Sequence, residues 1–162
     1  MIINVFSLKM ANAYLEKGMH LNNWISIRDK GWEHLYETID LKAINVLPIV
    51  FDDITKYQYE HGMIHPVYQD VIKNRDIIYF DKSMAEKIRR FALDVCNNNE
   101  LNIHCFAGRS RSQAVGHVLN NYVNLYFERN EEDYLMNLKN SINKFMPNHD
   151  VLKILSENCF LH

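Results

Sequence analysis

At 162 residues, 48% hydrophobic and 23% charged, the chain is in the globular range, with length for one substantial core and not two, so a disordered or collagen-like chain is excluded. Eighteen Lys plus Arg against twenty Asp plus Glu leave a net charge of -2, so no global field draws nucleic acid or an acidic membrane, and a polyanion has to be met locally. No apolar run reaches membrane-spanning length, MIINVFSLKMANAYLEKG lacks a signal-peptide pattern, and the widely spaced Cys96, Cys105 and Cys159 suit a reducing compartment, so a cytoplasmic protein starting at Met1 is expected.

In chain order, IINVFS (2 to 7) is apolar and β-branched and reads as a strand, followed by a helix over 8 to 18 that Gly18 closes. NWISIRD (23 to 29) and INVLPIVFDD (44 to 53) read as strands, and Pro48 confines the second to a sheet edge or a bulge. Residues 54 to 80, with Gly62 and Pro66, are the least regular and predict a loop-rich insertion with a short helix over PVYQDVIKN (66 to 74). SMAE (83 to 86) fits a capping box, and Met84, Ile88, Phe91, Ala92 and Val95 then share one helical face. LNIHC (101 to 105) reads as a strand and 111 to 127 as a helix. A helix carrying Tyr134 to Phe145 and stopped by Pro147, then a short one over 150 to 158, complete the chain. Strands alternating with helices predict a single α/β domain over 1 to 162, a sandwich whose central, largely parallel sheet is flanked by helices, with ligands at the carboxyl ends of its strands.

The stretch at that place is HCFAGRSRS (104 to 112). A strand ending at His104 or Cys105, a tight loop and a helix starting near Arg111 converge free backbone N-H groups and the positive end of a helix dipole on one anion site. A thiol placed there is biased towards the thiolate, a strong nucleophile. Arg111, with five residues between it and Cys105, matches two oxygens of a phosphate with its planar fork. Gly108 lets the loop turn back, Ser112 can donate its hydroxyl to the sulfur as a covalent intermediate breaks down, and His104 orients the loop and adds to the thiolate bias.

This stretch resembles the HCxxGxxRS loop of the cysteine-dependent protein tyrosine phosphatases, matching every defining position, and the chain resembles their small dual-specificity-like branch. ISIRD, IVFDD and FDKSMAEKIRRFALDV follow the order of strand, acid-bearing loop and helix that small members show. The resemblance implies that Cys105 forms a phosphocysteine, Arg111 binds the phosphate, Ser112 assists hydrolysis, and Phe106, Ala107, Gly108, Arg109 and Ser110 cradle the phosphate. It implies a general acid on a separate loop, since an alkoxide or phenolate leaves phosphorus only when protonated. Asp53, second of the pair that ends the third strand, is preferred, with Asp52, Asp76 and Asp81 open because of the inserted segment. Hydrolysis of phosphotyrosine, or of phosphoserine and phosphothreonine, in proteins is implied, with no metal or cofactor. For a viral protein, the compartment would be the host cytoplasm.

Rival readings are a phosphoinositide phosphatase, since Arg109 stands where such enzymes carry a basic residue, an RNA 5′-phosphatase, a phosphate-binding module without catalysis, and a sulfur-transfer enzyme. His61 and His65, with Glu60 and Asp70 nearby, read as a surface loop rather than a metal site. KNR (73 to 75) stands in the wrong place for a phosphotyrosine-recognition loop, and KIRR (87 to 90) reads as a solvated helix face. Cys96 and Cys159 read as core thiols, each a partner for an oxidised Cys105 if the fold brings it close.

Overall fold

The computed structural model describes residues 1–64, 66–98, 100–127 and 147–160. In chain order these form β1 (Ile2–Ser7), α1 (Leu8–Glu16), β2 (Trp24–Arg28), a 3-10 turn (Glu33–Tyr36), α2 (Glu37–Lys42), β3 (Val46–Val50), α3 (Lys56–Glu60), α4 (Pro66–Asn74), α5 (Lys82–Asp94), β4 (Glu100–Cys105), α6 (Arg111–Phe127) and α7 (His149–Phe160). The helix expected over Tyr134 to Phe145 falls outside the described residues.

The four strands run parallel in the order β1-β4-β2-β3. Pro48 sits on β3, an edge strand, opposite Ser26, where its missing N-H costs the sheet nothing. Alternation along β4 decides what each face receives. Leu101, Ile103 and Cys105 join the core under α5, α6 and α7, with Ile88, Ala114, Val118 and Leu155. Asn102 and His104 face the other way, and there His104 meets the rings of Trp24 and Tyr36, which pack with Phe6, Ala11 and Ile39 beneath α1 and α2. Each fully buried Ile or Leu of this sheet contributes about 1.5–3 kcal/mol. Gly116 lets α6 close on β1, since a Cβ there would stand 2.6 Å from Val5 Cγ2.

Three local details differ from the sequence reading. The insertion is more regular than a loop: α3 was not foreseen, although Thr55 and Gln58 form a complete capping box at its start. The helix α5 is capped by Asp81 rather than Ser83, because Asp81 is extended (φ -131°, ψ 175°) and its carboxylate accepts the Met84 N-H at 2.8 Å. The segment from Glu33 to Lys42, unassigned from sequence, forms the 3-10 turn and α2, with Tyr36 and Ile39 buried.

Candidate active site

β4 ends at Cys105, α6 begins at Arg111, and the five residues between them wrap around the sulfur. Cys105 is 1% exposed. Its Sγ accepts the Gly108 N-H at 3.2 Å and lies 3.1 Å from the Ser112 hydroxyl, so the middle of the loop and the first turn of α6 both meet the sulfur. Gly108 has φ +70°, and a Cβ there would stand 2.6 Å from Ser7 N and 2.9 Å from Phe6 C and O. Both its conformation and its neighbours therefore exclude a side chain. The loop is fastened from outside by the Leu8 N-H to Phe106 O (3.2 Å) and the Gln113 side-chain amide to Gly108 O (3.0 Å).

Arg111 is 2% exposed, an expensive position for a charge unless it is paired. Its Nη1 and Nη2 donate to the two carboxylate oxygens of Asp29 at 2.9 and 3.2 Å, and Nη1 also donates to Phe51 O at 2.9 Å. Asp29 and Phe51 stand just past β2 and β3, so the guanidinium is pinned to the end of β2, which neighbours the strand that carries Cys105, and to the end of β3 beyond it. Burial opposes the charge, but Asp29, Asp53 and Cys105 outweigh it and raise the Arg111 pKa above its usual value. Nε is buried without a hydrogen-bond partner and lies 3.8 Å from Asp53 Oδ2. The end of the fork is thus occupied while its side, Nε with the second Nη2 hydrogen, is left for an anion.

The two neighbouring aspartates diverge. Asp53 Oδ1 accepts from the Ser110 hydroxyl (2.7 Å) and the Asn148 amide (3.2 Å), so this carboxylate hangs over the loop at the Arg111 Nε edge. Asp52 turns inward, 2% exposed, and receives the Arg75 guanidinium on both oxygens and the Ile78 N-H at 2.9 Å. Asp81 caps α5, and Asp76 is exposed and takes the Arg75 guanidinium on its backbone carbonyl. Among the described residues, Asp53 is the one of the four aspartates that meets the loop, through its hydrogen bond from Ser110.

A solved structure described as "Crystal structure of Tk-PTP in the active form" aligns with 96% of this chain and 90% of that chain, at a TM-score of 0.53 and 16% identity. The fold is that of a protein tyrosine phosphatase. At this identity the likeness concerns the fold, and the roles of residues rest on the geometry above. No protein-family model and no curated protein matches the sequence.

Within this phosphatase fold His104 is held without charge. It is fully buried, its Nε2 lies 2.8 Å from Ser26 Oγ, and burial first, then Arg28 and Arg111, push its pKa down to about 3. A neutral ring adds no positive charge beside the sulfur. Asp29, Asn148 and Tyr68 escaped the sequence reading, and Arg75 was set aside with KNR. Tyr36 supports Asp29, its hydroxyl donating to Oδ2 and accepting the Asp29 N-H, both at 3.2 Å. Tyr68 on α4 is half-buried, its pKa pushed up to about 12 by burial first and then by Asp53, Asp29 and Asp52 against Arg111.

The remaining sequence candidates serve locally. Arg109 is exposed. His61 Nδ1 meets Tyr57 O at 2.9 Å and its ring stacks on Tyr57, Glu60 faces Lys56 and Asp70 faces Lys73, while His65 lies outside the described residues. Arg89 and Arg90 both bind Glu86, and Arg90 is 73% exposed while Arg89 is only 20% exposed, so KIRR is a solvated face in part. Cys96 is half-buried, and the Cys159 side chain lies outside the described residues. No helix among the described residues is long and apolar enough to cross a membrane.

Proposed function

We propose that the chain is a phosphomonoesterase of the tyrosine or dual-specificity type, acting through a phosphocysteine, with residues 1 to 162 as one phosphatase domain. The observation that carries this reading is the unpartnered, buried Nε edge of Arg111, held beside a sulfur that Gly108 N-H and Ser112 already address. A phosphate placed there takes two oxygens onto Nε and Nη2 and the remaining one onto the loop N-H groups of Phe106 to Ser110.

The Cys105 thiolate attacks phosphorus as the bond to the leaving oxygen breaks, and that oxygen takes its proton from the Asp53 carboxyl. Asp53 then accepts a proton from the water that attacks the phosphocysteine. Sulfur leaves as a thiolate that the Ser112 hydroxyl and the Gly108 N-H receive, and inorganic phosphate departs. A nucleophilic thiol works in a reducing compartment, which agrees with the cytoplasm.

Phosphotyrosine is the favoured substrate. Phe106 on the loop and Trp32 beyond β2 are 49% and 43% exposed and meet edge-to-face at 5.9 Å, an apolar wall beside the phosphate against which an aryl ring packs. The test is the initial rate on p-nitrophenyl phosphate with chelator present, for the wild type and Cys105→Ser. A vanadate-sensitive rate that falls about 10⁴-fold or more in the mutant is expected. Undiminished turnover in Cys105→Ser overturns the mechanism, and phosphate binding without turnover in the wild type identifies a silent binding module.

A further inference from the structure

Beside the phosphate cradle lies a second cavity of about 780 Å³, and Asp53 and Ser110 belong to its wall. The rest of the wall comes from parts that the phosphate chemistry leaves idle: Tyr57 and Met63 from the inserted arm, and Pro147 and His149 at the entry to α7. Tyr57 and Met63 are 60% and 61% exposed, large apolar surfaces turned to an open concavity rather than to the core.

The cavity is preformed. The Lys56 N-H donates to Asp150 Oδ2 at 2.9 Å and ties α3 to α7. Asn148 accepts the N-H groups of Asp150 and Val151 at 3.1 and 3.2 Å, and its amide reaches Asp53 at 3.2 Å. The same side chain therefore fixes the cavity's far wall and the proposed acid. Its volume lies within the roughly 300–1,000 Å³ of built ligand sites and exceeds what a single side chain fills.

Its occupant follows from the direction of the reaction. The acid must touch the leaving oxygen, so the body of the leaving group lies on the side of Asp53, which is the side of this cavity. We propose that the cavity is the subsite for the polypeptide segment flanking phosphotyrosine, and that it selects a flank with a bulky apolar side chain, which packs on Tyr57 and Met63. Asp53 and Asp150 on the same wall disfavour an acidic flank. This inference rests on the phosphatase reading.

The test measures kcat/KM on phosphotyrosine peptides carrying Leu or Phe, against Glu, at the two positions on either side of the phosphorylated residue. In the wild type the apolar-flanked peptides are expected to lead by about tenfold. Met63→Asp and Tyr57→Ser are expected to remove that lead through KM, with p-nitrophenyl phosphate kinetics and melting temperature held. Equal rates for all peptides in the wild type, or a loss in the variants that p-nitrophenyl phosphate shares, overturns the subsite. Stronger dependence of phosphoinositide turnover than of peptide turnover on Tyr57 and Met63 overturns the polypeptide occupant. If the wild type hydrolyses nothing, the phosphatase reading fails by itself. Fluorescence anisotropy of the same peptides on Cys105→Ser then decides the subsite, supported if Met63→Asp in that background erases the apolar preference and overturned if affinity ignores the flank.

Discussion

The molecule contains two arginine–aspartate pairs that are alike on paper and unlike in what they leave over. Arg111 meets Asp29 with both Nη atoms, and Arg75 meets Asp52 in the same way. In the second pair Asp52 also accepts the Ile78 N-H and Arg75 spends a further hydrogen on the Asp76 carbonyl, so the pair closes the inserted arm back onto the end of β3. In the first, Arg111 likewise spends three hydrogens, on Asp29 and on Phe51 O, but its Nε is buried without a hydrogen bond, 3.8 Å from Asp53 Oδ2. A salt bridge whose remaining donors reach solvent, as on the 20% exposed Arg75, is a fastener, and one that leaves a donor buried without a hydrogen bond has room for a ligand.

Substituting the arginines breaks this comparison most sharply. Arg111→Ala should lower kcat/KM on p-nitrophenyl phosphate by roughly 10³-fold or more, by analogy with arginines that bind a phosphoryl group in flight. Arg75→Met should cost about 2 kcal/mol in urea unfolding, discounted because the side chain of Arg75 is 20% exposed, while kcat/KM changes by less than about tenfold. Equal losses of activity in the two variants would falsify the division between them.

The adjacent aspartates sharpen it further. Asp53→Asn should slow an alkyl or unactivated aryl phosphate by about 10²-fold or more and p-nitrophenyl phosphate much less, because only the poor leaving group needs the proton. Asp52→Asn should show no such leaving-group dependence and should lower stability instead. If the pattern reverses, Asp52 is the acid.

Two smaller effects concern the supports. His104 has a folded pKa of about 3 against 6.5 unfolded, so between these values the unfolded chain binds the extra proton and stability falls as pH is lowered. The slope is about 1.4 kcal/mol per pH unit through that window, and His104→Gln should flatten it in denaturant titrations run from pH 7 to pH 4. Gly108→Ala should cost about 1–2 kcal/mol for its left-handed backbone alone, with the clash against Ser7 and Phe6 added. An unchanged melting temperature there would show that the loop shifts freely, contrary to its fastening.

HCFAGRSRS announced its own geometry because strand, turn and helix start are contiguous, and their chemistry depends on local spacing. The edge position of β3 was likewise legible from Pro48, a residue that carries its constraint with it. What lay hidden is long-range. Asp29 meets Arg111 across 82 residues and Asn148 meets Asp53 across 95, and neither position has a local pattern to mark it. The cap of α5 was misread for the opposite reason: SMAE offers a good local signal, but the backbone turns extended two residues earlier, at Asp81. Thr55 and Gln58 did carry a readable cap, obscured by the short helix that follows and by its two exposed tyrosines, Tyr57 and Tyr59.

The backbone of Phe6 to Leu8 forms the floor on which the loop at Cys105 rests, and β1 pairs with β4 from Ile2 opposite Glu100 to Ser7 opposite Cys105. The nucleophile is therefore assembled from the two ends of a long chain closure. A nascent chain that has emerged only as far as α5 holds β2 and β3 as neighbours but has no seat for a thiol. In refolding, activity should return with the slow, topologically distant pairing of β1 and β4 and not with the earlier local helices, so catalytic recovery reports on the last entropic step of folding.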